Sequence, residues 1–140
     1  MMVKSRQVLE RRRMEALSMS EQPISSVPLA QRPFEAPRPG DSPISQTVCE
    51  NLLAELDQWA VIDGHHLQRA FSFADFLQGL AFVNAIAGVA EDMGHHPDIS
   101  LGWGRVKVEL RTHDIDGLSM ADFVLAARID DIFRGLSTSN

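Results

Sequence analysis

Apolar positions recur along the later two-thirds of the chain with periods that switch between helical and extended. Val48, Leu52, Leu56 and Trp59 fall on one helical face, and Thr47 with Glu50 three residues on fits a capping box. The spacing predicts a first helix of about three turns. A short apolar run from Trp59 to Ile62 ends at Asp63-Gly64, a turn dipeptide. Leu67 to Phe73 reads as a strand with Leu67, Phe71 and Phe73 on one face and Arg69 as the misfit. The clearest helix runs from Ala74 to Met93. Phe76, Leu80, Val83, Ala87 and Ala90 line its stripe, while Phe82, Ile86, Val89 and Met93 widen it into the arc of a largely buried helix. Gly94 stops that helix in the C′ position, and Pro97 prevents its resumption.

Beyond Pro97 the period returns to two. Ile99, Leu101 and Trp103 alternate with Ser100 and Gly102, and Val106, Val108 and Leu110 alternate with Lys107, Glu109 and Arg111. This predicts a hairpin whose two-residue loop, Gly104-Arg105, uses glycine for positive φ. A last helix opens at Ser119 with Asp122 three residues on. Leu118 and Phe123 are placed as a hydrophobic staple, and Phe123, Leu125, Ala127, Ile129 and Ile132 carry the apolar side to Phe133. The order is α-β-β-α-β-β-α. The predicted class is α+β: a four-stranded antiparallel sheet with helices packed on one face and the other meeting solvent or another subunit.

Composition divides the chain. Six of the seven prolines lie between Pro23 and Pro43, and the net charge is +2 over residues 1–45 but -8 over 46–140. Residues 1–45 therefore read as a proline-rich, disordered N-terminal extension, because prolines forbid helix and sparse apolar residues cannot offset ordering entropy. Residues 46–136 read as the folded domain. Arg11-Arg12-Arg13 leaves an organellar presequence open, although Glu10, Glu15 and Glu21 count against one; translation starting at Met14 or Met19 is a further alternative. No apolar core of a secretory signal and no membrane span is visible, so a cytoplasmic location and no membrane partner are expected. The overall charge of -6 argues against nucleic acid as a partner. Cys49 is the one cysteine, which excludes an internal disulfide framework and a cysteine-rich zinc site.

Candidate chemistry gathers at punctuation. His95 and His96 sit between the Gly94 stop and Pro97, while His113 follows the last strand in Arg111-Thr112-His113-Asp114. A tight hairpin with nearly equal arms returns to its starting edge, so residues 95–98 and 111–114 should be neighbours. Three imidazoles at one rim suit acid–base work near neutral pH. His65-His66 follows the Asp63-Gly64 turn with nothing in the sequence to frame it and reads as a solvated pair. A three-histidine zinc site is the sharper alternative for the first group, but adjacent side chains diverge and no carboxylate spacing completes a known metal pattern.

Several spaced blocks carry a resemblance. They are Phe71-Ser72-Phe73-Ala74-Asp75-Phe76, Glu91-Asp92-Met93-Gly94-His95-His96-Pro97-Asp98, Trp103, Thr112-His113-Asp114, and Gly117-Leu118-Ser119 with Asp122. From about Trp59 to Ile129 the chain resembles the pterin-4a-carbinolamine dehydratases. Asp116 departs from the pattern, where most members have glycine or another small residue; its charge is expected to modify substrate binding. The N-terminal extension has no counterpart in the short members.

The resemblance implies dehydration of 4a-hydroxytetrahydropterin to quinonoid dihydropterin, a step in recycling tetrahydrobiopterin for aromatic amino-acid hydroxylases. It implies no cofactor and no metal, and a homo-oligomer of two or four subunits. It places His95, His96 and His113 in the catalytic site, with His96 and His113 as the proton-transfer pair and His95 orienting the ring. Thr112 and Asp114 would flank the pterin. Glu91, one helical turn before His95, is a supporting residue that could hold an imidazole proton. Trp103 is expected to pack. The same fold serves some animal relatives as a dimerisation cofactor for a transcription factor, which keeps a non-enzymatic binding role as the alternative.

Overall fold

The computed structural model describes residues 27–138. Residues 1–26, where the basic cluster lies, fall outside the described residues. The chain divides into two units, one ending at Arg32 and the other beginning at Pro33. What is described of the first is a single 3-10 turn, Leu29–Gln31, with Arg32 Nε donating to the Val27 carbonyl at 2.8 Å.

The second unit has the predicted α+β class and element order. Helix α1 spans Gln46–Leu53, strands β1 and β2 span Ala60–Ile62 and His66–Ser72, and helix α2 spans Phe76–Met93. Strands β3 and β4 span Asp98–Gly102 and Arg105–Leu110, and helix α3 spans Met120–Thr138. The sheet order is β1-β2-β4-β3 with every neighbour antiparallel. Leu67 faces Leu110 across the central pair and Phe71 faces Val106, so the inward side chains of β2 and β4 form one apolar layer. Phe82 and Ile86 of α2 and Phe123 and Ile129 of α3 seal that layer. The Phe71 ring lies 4.7 Å from Phe82 and 5.0 Å from Phe133, separations typical of tilted and edge-on aromatic packing.

Several local expectations change. The first helix is capped by Ser45, whose hydroxyl accepts from Val48 N–H, so Thr47 lies inside it and the Thr47–Glu50 box does not form. It is eight residues long and ends before Leu56 and Trp59. Trp59 is buried all the same, because its indole Nε1 donates to Asp130 Oδ1 at 2.8 Å. Arg69, the misfit of β2, points inward: its guanidinium lies 2.7 Å from Asp130 Oδ1, donates to the Asp57 carbonyl at 2.8 Å and sits 4.3 Å from the centre of the Phe71 ring. Burial pushes the Asp130 carboxyl up, against the opposing pull of Trp59 and Arg69.

Helix α2 buries the face through Gly79, Phe82, Ile86 and Ala90, while Phe76 and Ala87 of the expected stripe are exposed and Leu77 is 73% exposed. The hairpin loop is Trp103-Gly104, since Gly102 pairs with Arg105. Gly104 does not have positive φ. It is required by close approach: a Cβ there would meet the Phe73 carbonyl oxygen at 3.0 Å, and that same backbone contact carries the Phe73 N–H to Gly104 O bond. Trp103, at the tip, is 72% exposed and does not pack.

The residues just before α1 are also described. Residues 33–44 belong to the second unit and are irregular, with a turn at 39–40. Ile44 N–H donates to the Leu118 carbonyl at 3.0 Å, and a turn at residues 38–41 is closed by Arg38 N–H on Asp41 Oδ2 at 2.8 Å. Prolines exclude helix here yet suit an extended strap, which has no periodicity to read.

Candidate active site

Helix α2 ends in a Schellman arrangement: Gly94 takes φ 66°, its N–H reaches the Glu91 carbonyl, and His95 N–H reaches the Ala90 carbonyl at 3.1 Å. That turn swings His95 and His96 off the helix axis toward the end of β4. There Thr112 and Gly117 pair backbone to backbone, with Thr112 N–H on Gly117 O at 2.7 Å, and the 3-10 turn His113–Ile115 is pinched out between them. Gly117 has no room for a side chain, since a Cβ would come within 2.7 Å of the Pro43 ring.

The two segment ends meet, as the equal hairpin arms require. His95, His96, Thr112, His113 and Asp114 line one cavity of about 210 Å³ together with Met93, Ala121, Phe34 and Pro37. His95 is nearly enclosed; its Nε2 lies 2.5 Å from Oδ1 of the fully buried Asp122. The other oxygen of that carboxylate accepts from Thr112 Oγ1 at 2.8 Å and from Ser119 N–H at 2.9 Å. Thr112 thereby spends its one hydroxyl proton on Asp122, so the Ser119 hydroxyl, 2.7 Å away, must donate to Thr112. With an acceptor-only carboxylate opposite, His95 carries its proton on Nε2 and keeps Nδ1 as the other functional nitrogen.

His96 and His113 differ from His95 in being exposed. The Nε2 of His96 contacts Glu91 Oε2, so Glu91 supports His96 and not His95 as its one-turn spacing suggested. Helix geometry explains this: the backbone leaves the helix at Gly94, so helical offsets no longer apply one residue later. The His113 ring makes no hydrogen bond among the described residues. Asp122 was visible in the sequence as a capping residue and as part of the resemblance, with no site role attached to it. Its burial and its hold on His95 come from α3 starting beneath the Thr112 bridge.

His65 is framed after all. Its Nε2 lies 2.7 Å from Asp116 Oδ1, which also receives Arg111 at 3.1 Å, and its Nδ1 lies 3.1 Å from that of His66. The Asp116 carboxylate therefore faces His65 and Arg111 and is not among the residues that line the cavity. The backbone of Asp116 is left-handed, φ 49°, a conformation glycine adopts freely and aspartate tolerates.

One imidazole anchored on a buried carboxylate, with two exposed imidazoles sharing its cavity, is an arrangement suited to general acid–base chemistry on a helix-covered antiparallel sheet. The chain belongs to the pterin 4 alpha carbinolamine dehydratase family, which matches residues 42–132. A protein of Rubrobacter xylanophilus named "Putative pterin-4-alpha-carbinolamine dehydratase" is 46% identical over 91 residues, covering 65% of this chain and 85% of that protein. One of the same name from Alkaliphilus metalliredigens is 47% identical over 92 residues, covering 65% and 83%. The crystal structure of a transcriptional coactivator/pterin dehydratase from Brucella melitensis superposes with a TM-score of 0.62 at 30% identity, over 65% of this chain and 98% of that one. Among the described residues, no helix is long and apolar enough to cross a membrane.

Proposed function

We propose that this chain dehydrates 4a-hydroxytetrahydropterin to quinonoid dihydropterin within tetrahydrobiopterin recycling. The reaction breaks the C4a–O bond, forms the N5=C4a double bond and releases the N5 proton. No electrons change hands, so a proton donor near the hydroxyl and an acceptor near N5 suffice, without metal or redox cofactor. The observation that carries the reading is the division among the histidines. His95 is fixed by Asp122 and serves to orient the bicycle, while His96, with Glu91 on its Nε2, and His113 project as exposed rings that give and take protons. Thr112, committed to Asp122, positions His95, and exposed Asp114 offers a carboxylate to the N–H groups of the pterin edge.

The proposal includes a cytoplasmic homo-oligomer of two or four chains acting downstream of an aromatic amino-acid hydroxylase. Phe76, Leu77 and Trp103 support the oligomer, because a single chain leaves these large apolar side chains exposed. The same surface is what a protein-binding role would use, and the coactivator in the name of the Brucella structure keeps that second reading. The deciding experiment supplies a 4a-carbinolamine generated by a hydroxylase and follows its dehydration, with the slow unaided reaction subtracted. Saturable acceleration supports the enzyme; a rate equal to background leaves the binding role.

A further inference from the structure

The cavity has two kinds of lining with two origins in the chain. Its polar groups, His95, His96, Thr112, His113 and Asp114, all lie within the region matched to the family. Phe34, Ala36 and Pro37 come from the strap that precedes that region. Among the described residues, and apart from the imidazoles, Phe34 is the one aromatic ring in the lining. We propose that Phe34 is a specificity-determining residue, covering an apolar face of the bound bicycle and excluding pterins whose C6 substituent is bulky. The inference rests on the pterin reading above.

Four observations support it. The strap is held at several points: Ile44 on the Leu118 carbonyl, Pro43 against Gly117, and the closed turn at residues 38–41. Phe34 itself is half-buried, with the Arg128 guanidinium of α3 5.7 Å from its ring centre. Pro33, Pro37, Pro39 and Pro43 reduce the conformations the free strap could sample, so little ordering cost opposes its placement. Finally, the cavity of about 210 Å³ lies below the range of about 300–1,000 Å³ usual for small-molecule sites. A flat two-ring ligand with a short substituent fits that scale better than one with an aryl extension. The imidazoles reach edge atoms of such a ligand, and its face needs an apolar partner, which Phe34 supplies.

Direct binding of two stable ligands to the full chain tests this without turnover. Calorimetric titration would compare 7,8-dihydrobiopterin, with a three-carbon substituent, and 7,8-dihydrofolate, with an aryl one. The wild type should prefer dihydrobiopterin. Phe34→Ala should weaken dihydrobiopterin about five- to tenfold, as expected for loss of an aromatic contact, and should reduce the preference over dihydrofolate. Glu35→Ala, exposed and outside the lining, should match the wild type. Melting curves separate lost binding from lost folding. Should Phe34→Ala not fold, Phe34→Leu decides: it keeps bulk but loses the ring, so dihydrobiopterin should weaken while the preference survives. Unchanged affinities and preference in a folded Phe34 variant would overturn the proposal and leave the pterin reading standing. A wild type that binds neither ligand overturns both.

Discussion

The chain has two adjacent histidine pairs, each directly after a turn, and they have opposite fates. His95-His96 follows a helix stop and meets His113 in a cavity, and His95 rests on a carboxylate with no solvent access. His65-His66 follows the β1–β2 turn, and His65 rests on Asp116, whose side chain is 78% exposed. At the level of single contacts the pairs look alike, with an imidazole 2.5 Å or 2.7 Å from an aspartate. The difference lies in what surrounds the aspartate. Asp122 is held by Thr112, Ser119 and His95 together and fixes its imidazole in one orientation, whereas the exposed Asp116 contact is screened by water.

The sharpest way to break this contrast is to truncate both groups. His96→Ala and His113→Ala should each lower kcat/KM by about 10²–10⁴, the range for positioned acid–base groups. His65→Ala and His66→Ala should leave it close to wild type, since neither ring lines the cavity. All four should keep the wild-type far-UV circular dichroism. Equal activities of His113→Ala and His65→Ala would erase the distinction.

A second, smaller effect concerns the buried carboxylate. Asp122→Asn removes the charge and turns an amide donor toward a site built of donors, leaving a buried polar group mispaired at a cost of about 1–3 kcal/mol. A lowered Tm is expected. If His95 chiefly orients substrate, both Asp122→Asn and His95→Ala should raise KM more than they lower kcat. A fall in kcat alone, equal in both, would instead move His95 into the proton-transfer step.

Much of the fold could be read before the structure, and the failures share a cause. Helix α2 and its stop at Gly94 rest on local signals, a capping Asp75 and a left-handed glycine, that act within a few residues. The approach of residues 95–96 to 112–114 follows from hairpin arm lengths, again local arithmetic. What was misread depends on partners distant in sequence. Arg69 is a misfit on its strand face until Asp130 is placed beside it, and Asp122, which does cap at Ser119, gives no sign in the sequence that it also holds His95. The apolar arc of α2 is wider than the single chain buries, so periodicity alone could not choose between the faces of Phe82 and Phe76. Phe34 reached the cavity on a strap without any period.

The smallest expected effect belongs to Asp116, and it tests the other half of the comparison. Its carboxyl is held below the usual range chiefly by the hydrogen bond from His65, with the charges of His65, Arg111 and His113 in support. A carboxyl with a lowered folded pKa contributes stability above its unfolded pKa, near 3.9 in model peptides, and that contribution drains away as pH falls through the lower folded value. Asp116→Asn removes the titrating group but keeps a side chain tolerant of the left-handed φ. The variant should therefore lose less Tm than the wild type between pH 6 and pH 3, while its turnover at neutral pH stays within about twofold because an exposed pair contributes little. Thermal melts across that acid range decide the point. Parallel acid limbs in the two proteins would show that the His65–Asp116 contact does not hold in solution, and a large loss of turnover would show that the His113 turn depends on it.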